Sequence, residues 1–136
     1  FMVRRYPPDD APYLRALVDE FGDEPGTEAE PPEVAALRDL HARQRDLLRR
    51  LDIAIEPEPA GVDDPVALSF QAAALLDAGT GVKQRLLETR STAGRVRALL
   101  DLLPRTLAVI EAAAEVHVRA TTNGKGTPHD EPGAPA

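Results

Sequence analysis

The chain contains no cysteine. Disulfides, thiol catalysis and Cys-ligated metals are therefore excluded, and the redox compartment is left open. Tryptophan is also missing, and aromatic residues make up only 4% of the chain. A core must then be built from Leu, Ala, Val and a little Ile. Such a core suits helix packed on helix better than a barrel or sandwich, which draws on more β-branched and aromatic residues. No apolar run approaches the roughly 20 residues needed to cross a bilayer. The opening Phe1-Met2-Val3-Arg4-Arg5 has no signal-peptide apolar region, so a cytoplasmic protein without a membrane anchor is the expectation. A start on Phe1 rather than Met reads as a fragment or a processed chain. Lysine occurs only as Lys83 and Lys125 while arginine is abundant, a bias found in high-GC bacteria.

A basic field is lacking as well. The 136 residues carry a net charge of −7, which disfavours non-specific binding to nucleic acid or to anionic lipid. The charge is uneven, however. Arg38, Arg43, Arg45, Arg49 and Arg50 concentrate between acidic flanks, a pattern that most simply describes a solvated helix face paired with neighbouring acids.

What is present is helical periodicity. Val34, Leu37, Leu40, Leu47, Leu48 and Leu51 recur at spacings of three and four or their sum, so a first amphipathic helix starts near Pro32 or Glu33. Gln44 falls inside its apolar stripe and His41 at its edge. Pro57, Pro59 and Gly61 close this segment with a linker. Asp64 suits an N-cap and Pro65 the first helical position, where its missing N–H costs nothing. Val66 to Leu76 is apolar almost all round, as in a central helix, and Gly79-Thr80-Gly81 breaks it. A short helix over Val82 to Glu88 follows. Ser91 or Thr92 caps a long last helix striped by Val96, Leu99, Leu100, Leu103, Leu107, Ile110 and Ala114. Pro104 lies inside it and predicts a kink, because its ring removes the bond to the Leu100 carbonyl. Toward the N-terminus, Val3 to Tyr6 reads as a short strand. Tyr13 to Val18 is ambiguous between strand and helix, and Asp23 to Pro32 reads as an acidic loop.

Catalytic patterns fail one by one. Gly124-Lys125-Gly126-Thr127 lacks the earlier glycine of a phosphate loop, since Arg119 stands there. Gly79-Thr80-Gly81 follows a helix rather than a strand. His41, His117 and His129 have no metal-ligand spacing. Asp63 and Asp64 are explained by capping, and nothing brings Ser69 to Lys83 as a nucleophile and base. No catalytic residue, metal ligand or cofactor is predicted.

One stretch is more specific than composition. Asp63-Asp64-Pro65-Val66-Ala67-Leu68-Ser69 leads to Ala72-Ala73. Lys83-Gln84-Arg85-Leu86-Leu87-Glu88, Ser91-Thr92-Ala93-Gly94-Arg95-Val96 and Leu99-Leu100-Asp101-Leu102-Leu103 follow. This pattern resembles the helical half of the Lon protease N-terminal domain, the Lon substrate-binding domain. Arg95-Val96 stands where that family has an Arg-Leu pair. Pro12 to Asp19 resembles the end of the family's β-rich half, so the similarity runs from about Val3 to Ala114. Most of the β-rich half is missing before Tyr13, and Pro104 interrupts a helix that is continuous in the family. The resemblance implies a stand-alone or truncated bacterial member that recognises unfolded or specific client proteins. The chain has neither a Walker motif nor the Ser-Lys peptidase part of Lon.

The resulting expectation is a mainly α protein: a bundle of about four helices, the last one long, with a residual N-terminal strand. Residues 1–31 would be a remnant of the β-rich half with an acidic linker, 32–119 the bundle, and 120–136 a disordered tail. The helices from Pro32 to Val118 would be stable alone, so that removing residues 1–30 barely shifts the melting temperature. A strand at Tyr13 to Val18 without its barrel would turn helical, pair with another chain or stay mobile. Function is expected to be non-catalytic protein recognition, with Leu37, Leu40, Arg43, Leu47, Arg50 and Leu51 as the partner-binding face. Two alternatives remain: a nucleic-acid-associated domain using Arg43, Arg45, Arg49 and Arg50, and an oligomerisation module with the Leu37–Leu51 stripe as its seam.

Overall fold

The computed structural model describes residues 1–8, 12–57 and 63–123. Two short strands come first, β1 (Met2–Arg5) and β2 (Leu17–Asp19), followed by four helices: α1 (Pro31–Arg50), α2 (Pro65–Ala74), α3 (Thr80–Glu88) and α4 (Thr92–Asn123). The expected mainly helical architecture is observed, with a two-stranded sheet in place of a single residual strand. β1 and β2 pair antiparallel, with Met2 opposite Asp19 and Val3 opposite Val18. The partner of the second strand is thus the chain's own N-terminus, and Tyr13 to Ala16 take neither strand nor helix form. Met2, Val3, Leu17 and Val18 are all exposed.

Each helix starts for a local reason. The α1 entry is held by the Glu33 carboxylate, which accepts from the Glu30 N–H at 3.4 Å. Asp64 caps α2 as its sequence implies, accepting from Val66 N at 3.4 Å and Ala67 N at 3.0 Å, with Pro65 behind it. Ser91 rather than Thr92 caps α4, through its Oγ and the Gly94 N–H at 3.0 Å. A Cβ at Gly94 would come within 3.2 Å of that oxygen, so the glycine lets the cap close tightly. The stop of α1 comes earlier than Pro57. Asp52 adopts a positive φ of 57°, its N–H donates to Arg49 O and the Ile53 N–H to Leu48 O, both at 3.0 Å. That is the glycine-type helix ending with Asp in the left-handed position, which a short polar side chain tolerates.

α1 and α4 lie side by side and run in the same direction. Glu33 pairs with Arg97 near their starts, Arg43 with Glu111 further along, and Asp52 with His117 at the far end. Their facing stripes build two apolar clusters. One gathers Val34 and Leu37 with Leu68, Ala72, Ala73, Leu76, Leu86, Val96, Leu99 and Leu103. The other joins Leu47 to Leu107, Ile110 and Ala114. Between them on α1 sit His41 and Gln44, both buried, with His41 Nδ1 3.1 Å from Gln44 Oε1. Each large side chain taken fully into these clusters contributes roughly 1.5–3 kcal/mol. α4 stays helical across Pro104, which faces solvent. It also continues through Thr121, Thr122 and Asn123, into the span expected to be tail; residues 124–136 lie outside the described residues. No helix among the described residues is long and apolar enough to cross a membrane.

Candidate functional site

The irregular segment between β2 and α1 is fixed to the bundle by a charged cluster. Arg95, on the first turn of α4, has no exposed surface. Its Nη2 lies 2.5 Å from Asp23 Oδ2 and its Nη1 3.2 Å from Asp23 Oδ1. Nη1 also donates to Thr89 O at 2.6 Å and Nε to Ser69 Oγ at 2.8 Å. The guanidinium stacks 3.9 Å from the centre of the Phe70 ring. Thr92 Oγ1 donates to Asp23 Oδ2 at 2.6 Å. The hydrogen bond from Arg95 holds the Asp23 carboxyl below the ordinary aspartate range, with the Thr92 bond acting in the same direction against the opposing effect of burial. Main-chain bonds from Glu24 N to Arg90 O and from Ala93 N to Thr27 O, both at 2.8 Å, complete the attachment. Each nitrogen of the guanidinium has a protein acceptor here, so this cluster joins parts of the fold. Lys83 and Gln84, which carry part of the family resemblance, are likewise engaged within the chain. Lys83 Nζ donates to Ala74 O at 3.1 Å, and Gln84 Nε2 to Glu88 Oε1 at 2.8 Å.

The six residues expected to form a partner face separate into two sets. Leu37 is wholly enclosed in the first cluster, and Leu47 is 4% exposed in the second. Leu40 and Leu51 are partly buried against the second cluster. Arg43 and Arg50 are exposed, the first paired with Glu111 and the second with Asp46 at 2.9 Å. Leu47 and Arg50 nevertheless meet the surface at one place. They line a groove of about 320 Å³ between the C-terminal halves of α1 and α4, with Glu111, Ala114, Glu115, Val118 and Arg119. Its floor is apolar and its rims carry both signs of charge. Val118 is half exposed within it, and Val116 and Val109 lie exposed on the same helix. The contribution of α4 was not visible in the sequence, where Val116 and Val118 follow the regular stripe without belonging to it.

The four arginines of the basic alternative do not share a face. Arg45 is 6% exposed and donates through Nη2 to Glu56 O at 2.7 Å, while Arg43 and Arg50 are ion-paired. The apolar stripe of α1 is occupied by α4 and α2 of the same chain. Among the described residues no group of His, Asp or Glu is arranged to hold a metal.

Comparison with known proteins bears on these surfaces. The profile of the ATP-dependent protease La (LON) substrate-binding domain matches residues 1–105. The chain belongs to that family. It is therefore a substrate-binding module in kind, and the match takes in the hairpin, α1 to α3 and the first half of α4. The stretch of α4 that lines the groove beyond residue 105 lies outside it. No curated protein and no solved structure matches the Lon-type chain.

Proposed function

We propose that this Lon-type substrate-binding domain acts as a non-catalytic protein-recognition module for unfolded or specific client proteins. The client would lie in the groove between the C-terminal halves of α1 and α4. The observation that supports this reading is the character of the groove: an open apolar floor of Leu47, Ala114 and Val118, rimmed by Arg50, Glu111, Glu115 and Arg119, in a chain of a substrate-binding family. An apolar floor takes up exposed side chains of an unfolded client, and mixed rims tolerate polar flanks of either sign. Of the six expected contacts, Leu47 and Arg50 would meet the client in the groove and Arg43 would stand beside it on its ion pair with Glu111, with Leu37, Leu40 and Leu51 holding α1 in place.

The test is fluorescence anisotropy with a labelled, reduced and carboxymethylated lactalbumin as a permanently unfolded client. Val118→Asp and Arg50→Glu should each weaken binding by about tenfold while leaving the melting temperature near that of the parent chain. Undiminished binding by both variants would remove the groove from the reading.

A further inference from the structure

A second cleft opens where α1, the segment after it and α2 meet. It encloses about 390 Å³ and is lined by Arg45, Ala54, Ile55, Glu56, Pro57, Gln71, Ala74 and Leu75. Two of its lining groups carry unsatisfied polar atoms. The Arg45 Nε–H donor and the Gln71 Oε1 acceptor are both closed off from solvent and have no hydrogen-bond partner among the described residues. Native interiors rarely leave such atoms unpaired, because each retains the cost of having lost water. Here a donor and an acceptor are left over in one cleft whose remaining walls are mostly apolar.

The cleft also shows how it treats a main chain. Residues Ala54 to Pro57 pass along it without helix or strand structure. The Arg45 Nη2 grips the carbonyl of Glu56 at 2.7 Å, and the start of this strap is tied down by the Ile53 N–H on Leu48 O. Arg45 thus already serves as a carbonyl ligand for an extended backbone, with its Nε–H to spare.

We propose that this cleft binds an extended segment of another polypeptide, one residue of which lays its carbonyl on the Arg45 guanidinium and its N–H on Gln71 Oε1. A residue in extended conformation directs its own N–H and C=O to the same side, so one residue supplies both missing partners. An apolar side chain of the segment packs against Ile55, Pro57, Ala74 and Leu75. A phosphate or a free carboxylate fits less well: it satisfies the arginine and leaves the amide acceptor unpaired. Because both atoms are enclosed, entry requires the strap to move outward, giving up the bond between Arg45 and Glu56 for the one to the incoming chain. The inference rests on the reading that the domain binds other proteins, and it places the main-chain contact at a site separate from the α1/α4 groove.

The experiment is a titration of the isotope-labelled chain with a short capped peptide of alternating leucine and serine, followed by NMR. The Arg45 Nε–H signal should move together with the amides of Ala54 to Glu56 and of Ala74. Arg45→Met, which keeps the aliphatic stem and removes the donors, should weaken the peptide by about tenfold. Ala74→Arg, which crowds the cleft and leaves Arg45 intact, should do the same. Binding with shifts confined to the α1/α4 groove or the hairpin would overturn this inference and leave the protein-binding reading standing. No shift anywhere, from this peptide or from carboxymethylated lactalbumin, would overturn both. The titration of the unaltered chain keeps the test valid even where Arg45→Met fails to fold.

Discussion

Arg95 and Asp23, 72 positions apart in sequence, meet as a two-pronged ion pair in which the arginine is completely enclosed. The pair ties the loop before α1 to the first turn of α4. Ser69, Phe70, Thr89 and Thr92 surround it with hydrogen bonds and a ring face. The guanidinium is therefore compensated in its buried position only while the loop is docked.

The first prediction follows from that dependence. Taking one partner from a buried pair costs about 3–5 kcal/mol, because the other charge is left without compensation. Asp23→Ala should lose stability near the low end of that range, since Thr89 O and Ser69 Oγ still accept from Arg95. Adding Arg95→Met should restore part of the loss. Urea unfolding of the single and double variants measures both effects, and a single variant as stable as the parent would show the pair to be energetically idle.

Acid should act on the same contact. The folded state holds the Asp23 pKa below its ordinary value, chiefly through the Arg95 hydrogen bond. An unfolded aspartate takes its proton near pH 4, at about 3.9. Below that point the unfolded state binds more protons than the folded one, so stability falls with pH. The contribution of the pair is thus complete above about pH 5 and lost as pH drops through the ordinary value toward the depressed one. Glu33, lowered by its hydrogen bond with Arg97, acts in the same direction from a partly exposed position. Denaturation midpoints taken between neutral pH and pH 3 should decline less steeply in Asp23→Ala than in the parent. Parallel declines would remove Asp23 as a source of the acid sensitivity.

Truncation separates the hairpin from the loop. Residues 1–20 contain β1 and β2, whose side chains are largely exposed, and their loss should change the melting temperature little. Removing residues 1–30 also takes Asp23, the Glu24 N–H and the Thr27 carbonyl. At roughly 3–5 °C per kcal/mol for a chain between the small and the larger domain sizes, the second truncation should lower the melting temperature by about 10 °C or more. The sequence alone suggested that cutting at residue 30 would be nearly neutral, and the Asp23–Arg95 contact reverses that expectation. Calorimetry of the two truncated chains decides it: equal melting temperatures would restore the simpler view.

Much of the helical frame was legible beforehand because its signals are local. Asp64 followed by Pro65 marks a helix start wherever it occurs, and the spacing of Val96, Leu99, Leu103, Leu107 and Ile110 fits one face of a helix and no strand. The end of α1 was less legible. Asp52 closes it in a left-handed conformation normally given to glycine, whereas the stronger local stop signals, Pro57, Pro59 and Gly61, lie further downstream. The strand Leu17–Asp19 was half legible: the Tyr and Val content of Tyr13 to Val18 pointed to it, while its partner at Met2–Arg5 lay outside the local window.

The candidate site divides along the same line. Sequence alone determined that α1 has one apolar stripe and a cluster of arginines, since periodicity and charge are properties of neighbouring residues. It also picked out Arg95, through the family pattern, without saying what Arg95 does. Only the tertiary structure decided which part of the stripe is core and which arginines reach water. Leu37 and Arg45 are enclosed because α4, α2 and the 54–57 strap pack over them, whereas Arg50 lies at the rim of a groove that α4 completes. Burial depends on what arrives from distant sequence, and that information is not written in the spacing of a single helix.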